Sequence, residues 1–383
     1  MKKLFINIIF LFALFSCKEK FTANIQSPST GYLVVEGFIN SGSNPTTITL
    51  SRTTRLYDSV NIIHEGNAVV NILGENNEIF PLYATGNGVY VSTALNLNAS
   101  EKYRLQIKTQ DNKEYLSDLV SVKQTPDIDS ISWRRQNGGL KIYVNTHDPQ
   151  NNTKYYKWDY EETWEFHSAY HSSLIYQFDQ NFVPTGVIYR FADHHEDSTI
   201  YKCWNTVNST NINIGSSEKL AADVIDLPLV FIEPASIKLS VLYSIHIRQY
   251  ALSRNAYLFY QTIKKNTEQL GSIFDAQPTE LTGNIHCVTN PEELVIGFVD
   301  ISEEKDKRIF IRNDELPGWN YGTRCAEYIV ETDSIRQYGG GLYPTIPFIR
   351  GVGNSIVKFY ATPEINCMDC TLTGSNVRPS FWP

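Results

Sequence analysis

Tyr103, Leu105 and Ile107 alternate with Arg104, Gln106 and Lys108. A period of two puts the apolar set on one face of a strand and the polar set on the other. The same pattern runs through TTITLSRT (46–53), beside the apolar run YLVVEGFIN (32–40). NAVVNILGENNEIFPLYAT (67–85) reads as a hairpin turning at Glu75-Asn76-Asn77. Gly86 and Gly88 then introduce another strand, and 101–123 forms a further hairpin turning at Asp111-Asn112. Short strands spaced by Gly, Asn and Asp turns predict an immunoglobulin-like or transthyretin-like β-sandwich over 31–125.

QTPDIDSISW (124–133) reads as a joint, because Pro126 cannot continue a central strand. A second, larger β-rich domain is expected over 126–383. In it NTKYYKWDYEETWEFHS (152–168) alternates aromatics, which predicts a strand packed on a large neighbour. Residues 170–200 are less regular and are expected to form an insertion or long loop. The strand pattern at 236–252 runs into helical spacing: Leu252, Ala256, Phe259, Ile263 and Leu270, with Ser253 as N-cap and Gly271 as stop. One amphipathic helix is therefore expected near 252–270. PEELVIGFVDIS and KRIFIR follow as strands, and the remainder is turn-rich. The fold class is mainly β, without internal repeats.

Residues 1–16, MKKLFINIIFLFALFS, join a Lys2-Lys3 n-region to an apolar stretch too short to span a bilayer. They read as a signal peptide. Leu14-Phe15-Ser16-Cys17 resembles a bacterial lipobox. The resemblance implies cleavage before Cys17, a diacylglycerol thioether on its sulfur and a palmitate-type acyl chain on its amine, together a durable anchor. Residues 17–30 form a polar tether. With only Glu19 acidic, the tether matches a Bacteroidota surface-export signal in part. The expected location is the outer membrane, lipid-anchored at the cell surface, with the periplasmic face as the alternative.

The formal charge is −8, and removal of Lys2 and Lys3 takes it to about −10. That excludes nucleic acid as a partner, since a basic footprint is needed. It also argues against electrostatic binding to anionic lipid. The 23 Tyr, 19 Phe and 6 Trp suit half-buried pleats, and equally surfaces that grip sugars or proteins.

Besides Cys17, the cysteines are Cys203, Cys287, Cys325, Cys367 and Cys370. Zinc sites pair two C-x-x-C units, and redox motifs open a helix. Cys367-x-x-Cys370 is single and lies in a Gly- and Pro-bounded tail, so disulfides are the leading reading, with metal and redox roles behind. A bridge from this pair to Cys203, Cys287 or Cys325 would pin the tail and let Phe381 and Trp382 bury as a plug. Spacing does not choose the pairing, and an odd count leaves one thiol over.

His194 and His195, followed by Glu196 and Asp197, are weak metal candidates, because adjacent strand residues point to opposite faces. His167 and His171 would share a helix face, but their flanks read as strand or loop. Both pairs read better as solvated loop. Asp159, Glu161, Glu162 and Glu165 cluster as paired carboxylates do in glycosidases, yet alternation splits Glu162 from Asp159 and Glu161. No nucleophile-elbow, zincin, dinucleotide or Walker pattern is present. No catalytic residue and no cofactor are assigned.

The lipobox, LVVEGFIN, TPDIDSISW, WDYEETWEF, YSIHIRQYALSRNAY, GNIHCVTNPEELVIGF and CMDCTLTGSNVRPSFW, in that order, resemble the Bacteroidota lipoprotein family catalogued as domain-of-unknown-function 4249. The resemblance implies genes beside TonB-dependent outer-membrane receptors and no known chemistry. The expected function is therefore a non-enzymatic accessory or binding partner of such a receptor, taking a small ligand by an aromatic surface. The alternatives are a surface hydrolase of glycan or peptide built on the acid cluster, and a structural envelope lipoprotein.

Overall fold

A computed structural model describes residues 31–54, 62–268, 283–338 and 341–383. The signal peptide, the tether, Cys17 and the expected helix stop at Gly271 lie outside the described residues. The molecule is mainly β. Its first layer pair is a sandwich of strands Leu33–Asn40, Pro45–Arg52, Val69–Gly74, Ile79–Gly86, Val89–Ala94, Lys102–Lys108 and Glu114–Ser117, each antiparallel to its neighbours within this set. Tyr103, Leu105 and Ile107 are buried and Lys102 and Lys108 exposed, as the alternation requires. Asn77 and Asn112 turn their hairpins with positive φ, a conformation Asn tolerates.

The first sandwich does not end at residue 125. Ile285–Cys287 pairs with Glu114–Ser117 at one edge. Val295–Gly297 and Ile301–Ser302 pair parallel to Leu33–Asn40 at the other. These strands return from the far side of the second domain, so the expected boundary between residues 125 and 126 separates segments of chain but not packed units. The reason is edge chemistry. An open sheet edge exposes unpaired N–H and C=O groups, and two- and three-residue strands suffice to cover it. Such strands are too short to show a period. Gly297 sits at φ 153°, where a Cβ would run into the carbonyl oxygen of Val35 on the neighbouring strand.

The second layer pair packs a three-stranded sheet (Ile128–Gln136, Gly139–His147, Val224–Ile232) on a five-stranded one. The latter is centred on Tyr155–His167 and Leu242–Ala251, with Lys202–Asn208, Asn213–Ser216 and Lys305–Arg312 beside them. Asn137 and Gly138 both have positive φ and join the first two strands tightly. The inner side of Tyr155–His167 carries Tyr156, Trp158, Tyr160, Trp164 and Phe166 into one core with Leu140, Ile142, Tyr243, Ile245 and Ile247. This is the large neighbour that the aromatic alternation called for.

Residues 170–200 are not simply a loop. Leu174–Phe178 and Pro184–Tyr189 form a hairpin whose Leu174 and Val187 share a small core with Val330, Ile335 and Phe359. Val330 and Phe359 belong to a further sheet of Tyr328–Glu331, Tyr343–Arg350 and Ile356–Thr362, and Ile335 to the 3-10 helix Thr332–Tyr338 beside it, inside the stretch expected to be turn-rich. Neither half is apolar enough alone, and the contact joins segments some 150 residues apart. The helix is Arg254–Glu268, and it lies at the junction, touching Phe38 and Phe298 of the first sandwich and Tyr155 and Ile214 of the second.

If the returning strands hold the first sandwich closed, Ile301→Ala should cost about 2–4 kcal/mol. Gly297→Ala should cost at least about 1 kcal/mol from backbone strain. Urea unfolding of each variant checks both, and unchanged midpoints would contradict the role given to these strands.

Candidate functional site

The joint is welded by buried polar side chains. Thr125 accepts the Ala251 N–H at 3.1 Å and donates to the Ser302 hydroxyl at 3.0 Å, so three chain segments meet on one hydroxyl. Gln249 is fully buried at a core register position beside Ile245 and Ile247. Its carbonyl accepts the Trp158 indole N–H at 2.7 Å, and its amide donates to the Pro126 carbonyl at 2.8 Å and to Thr146 at 3.0 Å. Every hydrogen-bonding atom of the side chain therefore has a partner, as burial demands. Ser253 caps the helix by accepting the Ala256 N–H, while its own N–H donates to Asp300 at 2.5 Å. Burial pushes the Asp300 carboxyl above the usual carboxylate range.

Two depressions flank this joint. The larger, about 950 Å³, lies between residues 122–129, 147–155, 251–254 and 303–305. The smaller, about 580 Å³, lies along the helix face of Leu258, Phe259 and Thr262. Lys123 lines both. In the larger cleft Lys305 meets Glu303 at 3.1 Å and Asp127 at 3.5 Å, and His147 meets Asp129 at 2.7 Å. The Asp129 carboxylate holds the His147 imidazole above its ordinary value, by hydrogen bond and by charge. The walls thus present both signs of charge beside apolar groups such as Val122, Tyr155 and Leu252.

The tail is held by two disulfides, Cys203–Cys370 and Cys325–Cys367, each with Cα atoms 5.8 Å apart. Cys287 stays a buried free thiol. The bridge considered for it does not form, because its strand is recruited to the edge of the first sandwich and pairs with Tyr115. Beyond Cys370 the tail pairs with the sheet edge, Ser375 exchanging backbone hydrogen bonds with Trp204. Trp382 is buried against Trp204 and Phe310, and its indole N–H donates to the Glu165 carboxylate at 3.0 Å. Phe381 is only partly covered, with the Arg308 guanidinium 3.6 Å over its ring.

The acid cluster is distributed among separate partners. Asp159 pairs with Lys157 at 2.5 Å and Glu161 with Arg308 at 3.0 Å. Glu162 faces the core, pairing with Lys238 and accepting from Tyr243, both at 2.8 Å. Glu165 pairs with Lys202 at 2.9 Å and His167 at 3.1 Å. Burial alone would raise the Glu165 carboxyl, but hydrogen bonds from Lys202, Trp382 and His167 outweigh it and hold the group below the usual range. The histidines are likewise occupied. His194 stacks on Tyr189 and His195 on Phe191, two different rings, and His195 also meets Asp193. His167 and His171 both pack on Tyr201, with His171 bound to Glu196 at 2.8 Å. Among the described residues no group of three or more His, Cys, Asp or Glu is placed to hold a metal ion. The joint network was missed from sequence. Its one readable signal is Gln249, a polar residue at an apolar position of the alternation.

The double variant Cys203→Ser/Cys370→Ser should lose about 3 kcal/mol of stability in urea unfolding. A pH effect follows from Glu165. Its folded value is depressed, so its contribution is complete above the usual 4.5 and fades as pH falls through the folded value. Protease cleavage of the tail beyond Cys370 should therefore rise below about pH 4.5, and Glu165→Gln should remove that dependence.

Known structures offer distant likenesses. One is the structure of manganese lipoxygenase of Gaeumannomyces graminis with part of zonadhesin of Komagataella pastoris, at 8% identity, covering 59% of this chain and 90% of that one, with a TM-score of 0.18. Another is a candidate carbohydrate binding protein from Bacteroides uniformis, also at 8% identity, covering 59% and 92%, with a TM-score of 0.15. Neither superposes well enough to carry an argument. No curated protein matches the chain. The family model described as Domain of unknown function (DUF4249) matches residues 18–308, most of the chain, and the protein belongs to that family.

Proposed function

We propose that this chain is a lipid-anchored, non-enzymatic binding protein of the outer membrane that takes a small polar ligand in the joint cleft and serves a TonB-dependent β-barrel receptor. The observation that carries the binding role is the cleft of about 950 Å³ between two sandwiches locked by buried hydrogen bonds. Pockets of this size favour domain interfaces, and rigid walls reduce the ordering cost of binding. Lys123, Lys154, Arg254 and Lys305 face Asp127, Asp129 and Glu303 around it, which suits a hydroxyl-rich or zwitterionic molecule. Lys123 makes no ion pair within 4 Å among the described residues, only a longer-range attraction to the buried Asp300, and it lines the cleft, where its ammonium can meet a ligand carboxylate or phosphate.

Capture by aromatics is assigned to a different place. Many large rings are core, but Phe178, Phe182, Tyr328 and Phe348 of the small third unit are exposed. On its sheet Phe348 lies edge-to-face on Tyr360, whose backbone partner is the exposed Ile329. Such a face suits a protein partner. The acid cluster gives a hydrolase no free carboxylate pair, since each acid already has its own cation.

Purification of the lipidated protein in mild detergent, with mass spectrometry of what co-elutes, should recover a TonB-dependent barrel in near-equal amount. Phe348→Asp should lose the barrel. Lys123→Glu should keep the barrel and weaken a co-purifying anionic or zwitterionic ligand by about tenfold, the loss of one charged contact. A protein that elutes alone from its native membrane overturns the receptor role.

A further inference from the structure

We propose that the end of the first sandwich remote from the joint is a membrane-facing tip, whose exposed aliphatic side chains enter the interfacial layer of the bilayer that holds the anchor. This rests on the reading of Cys17 as the lipidated residue.

Strand register fixes which residues share that end. The chain enters the sandwich at Gly31, whose N–H donates to the Thr53 carbonyl at 3.0 Å. The first strand begins at Leu33, which pairs with Arg52 on one side and Val295 on the other. Ile63 pairs with Arg52, so the 62–64 segment lies at the same end. Val69 pairs with Lys108, the last residue of its strand, and Lys108 pairs with Glu114. The Val288 N–H donates to the Glu114 carbonyl, and Leu294 immediately precedes Val295. The opposite ends of these strands, at Asn40 and Ser302, lead into the joint.

Five large aliphatics of this one end stand in water: Ile62, Ile63, Val69, Val288 and Leu294, each 47–59% exposed. They come from two stretches of chain, 62–69 and 288–294, more than 200 residues apart, so no single amphipathic element explains them. Grouped exposed aliphatics mark a surface with a partner. Most acids around them are paired within the protein: Glu65 with Arg52, Glu293 with Lys113 and Arg52, and Glu114 with Lys108, while Asp111 shares Lys113 and the exposed Glu292 makes no ion pair among the described residues. This end is therefore mildly acidic, and its entry into the interfacial layer rests on the aliphatic side chains. The tether decides the occupant. The described chain begins at Gly31 at this end, and the fourteen residues from Cys17 to Thr30 span about 50 Å at most. A lipid on Cys17 would therefore keep this end within tether length of the headgroups.

The test uses the full lipidated chain in phosphatidylethanolamine–phosphatidylglycerol vesicles with brominated acyl chains. A small fluorophore is placed at Ile63→Cys, at Leu294→Cys or, as control, at Val377→Cys on the stapled tail. Intact mass first establishes the lipid on Cys17. Quenching at least threefold greater at the two tip sites than at Val377 is the expected result, and Val288→Ser in the Leu294→Cys background should reduce it. Lipidation with no more quenching at the tip than at Val377 overturns the tip and leaves the anchor standing. A mass without lipid overturns both. A fluorophore shielded in detergent solution in proportion to protein concentration, without quenching in vesicles, assigns the surface to a second copy and overturns the proposal.

Discussion

The backbone pairing of the 285–302 segment with both edges of the first sandwich is the constraint on which the rest of the architecture depends. Two edges that would otherwise present unpaired N–H and C=O groups are closed by strands that follow all of the second sandwich's strands but Lys305–Arg312 in the chain. The chain therefore cannot leave the first unit behind as an independent bead. Thr125, Ala251 and Ser302 are drawn onto one hydroxyl, Asp300 is carried to the start of the helix, and the helix is wedged between the sandwiches. The cleft beside the joint has fixed walls for the same reason.

A second closure acts at the other terminus. A tail of thirteen residues beyond Cys370 would fray on its own. Here a disulfide fixes its root, a backbone bridge at Ser375 fixes its middle, and Trp382 fixes its end by packing on two rings and donating to Glu165. Glu165 gains as much as the tail does. A carboxylate this deeply buried needs cations and donors around it, and the tail supplies one of them. The acids of this strand are thus parts of the scaffold, each held by its own cation.

The two ends of the molecule differ in surface. The exposed aliphatic side chains Ile62, Ile63, Val69, Val288 and Leu294 belong to the end where the described chain enters, the polar cleft lies at the joint, and the stapled tail lies beyond it.

Much of this was legible in the residues. The strands of 32–123, the hairpin turns at Asn77 and Asn112, the helix start at Ser253 and the aromatic core face of 155–167 follow from periods of two and 3.6 and from residues that tolerate positive φ, all of which are local properties. The sequence by itself determined the mainly β class, the order of most strands and the excess of cysteines over what one closing motif uses. The tertiary structure alone decided that Ile285–Ser302 belongs with the first sandwich, that the 174–189 hairpin and the 328–362 sheet form one core, and that Cys203 and Cys325, not Cys287, receive the tail. It also decided that the acid cluster is spent on ion pairs. Each of these depends on which distant segments come within hydrogen-bond or disulfide reach, and a local pattern carries no information about a partner 40 to 260 residues away.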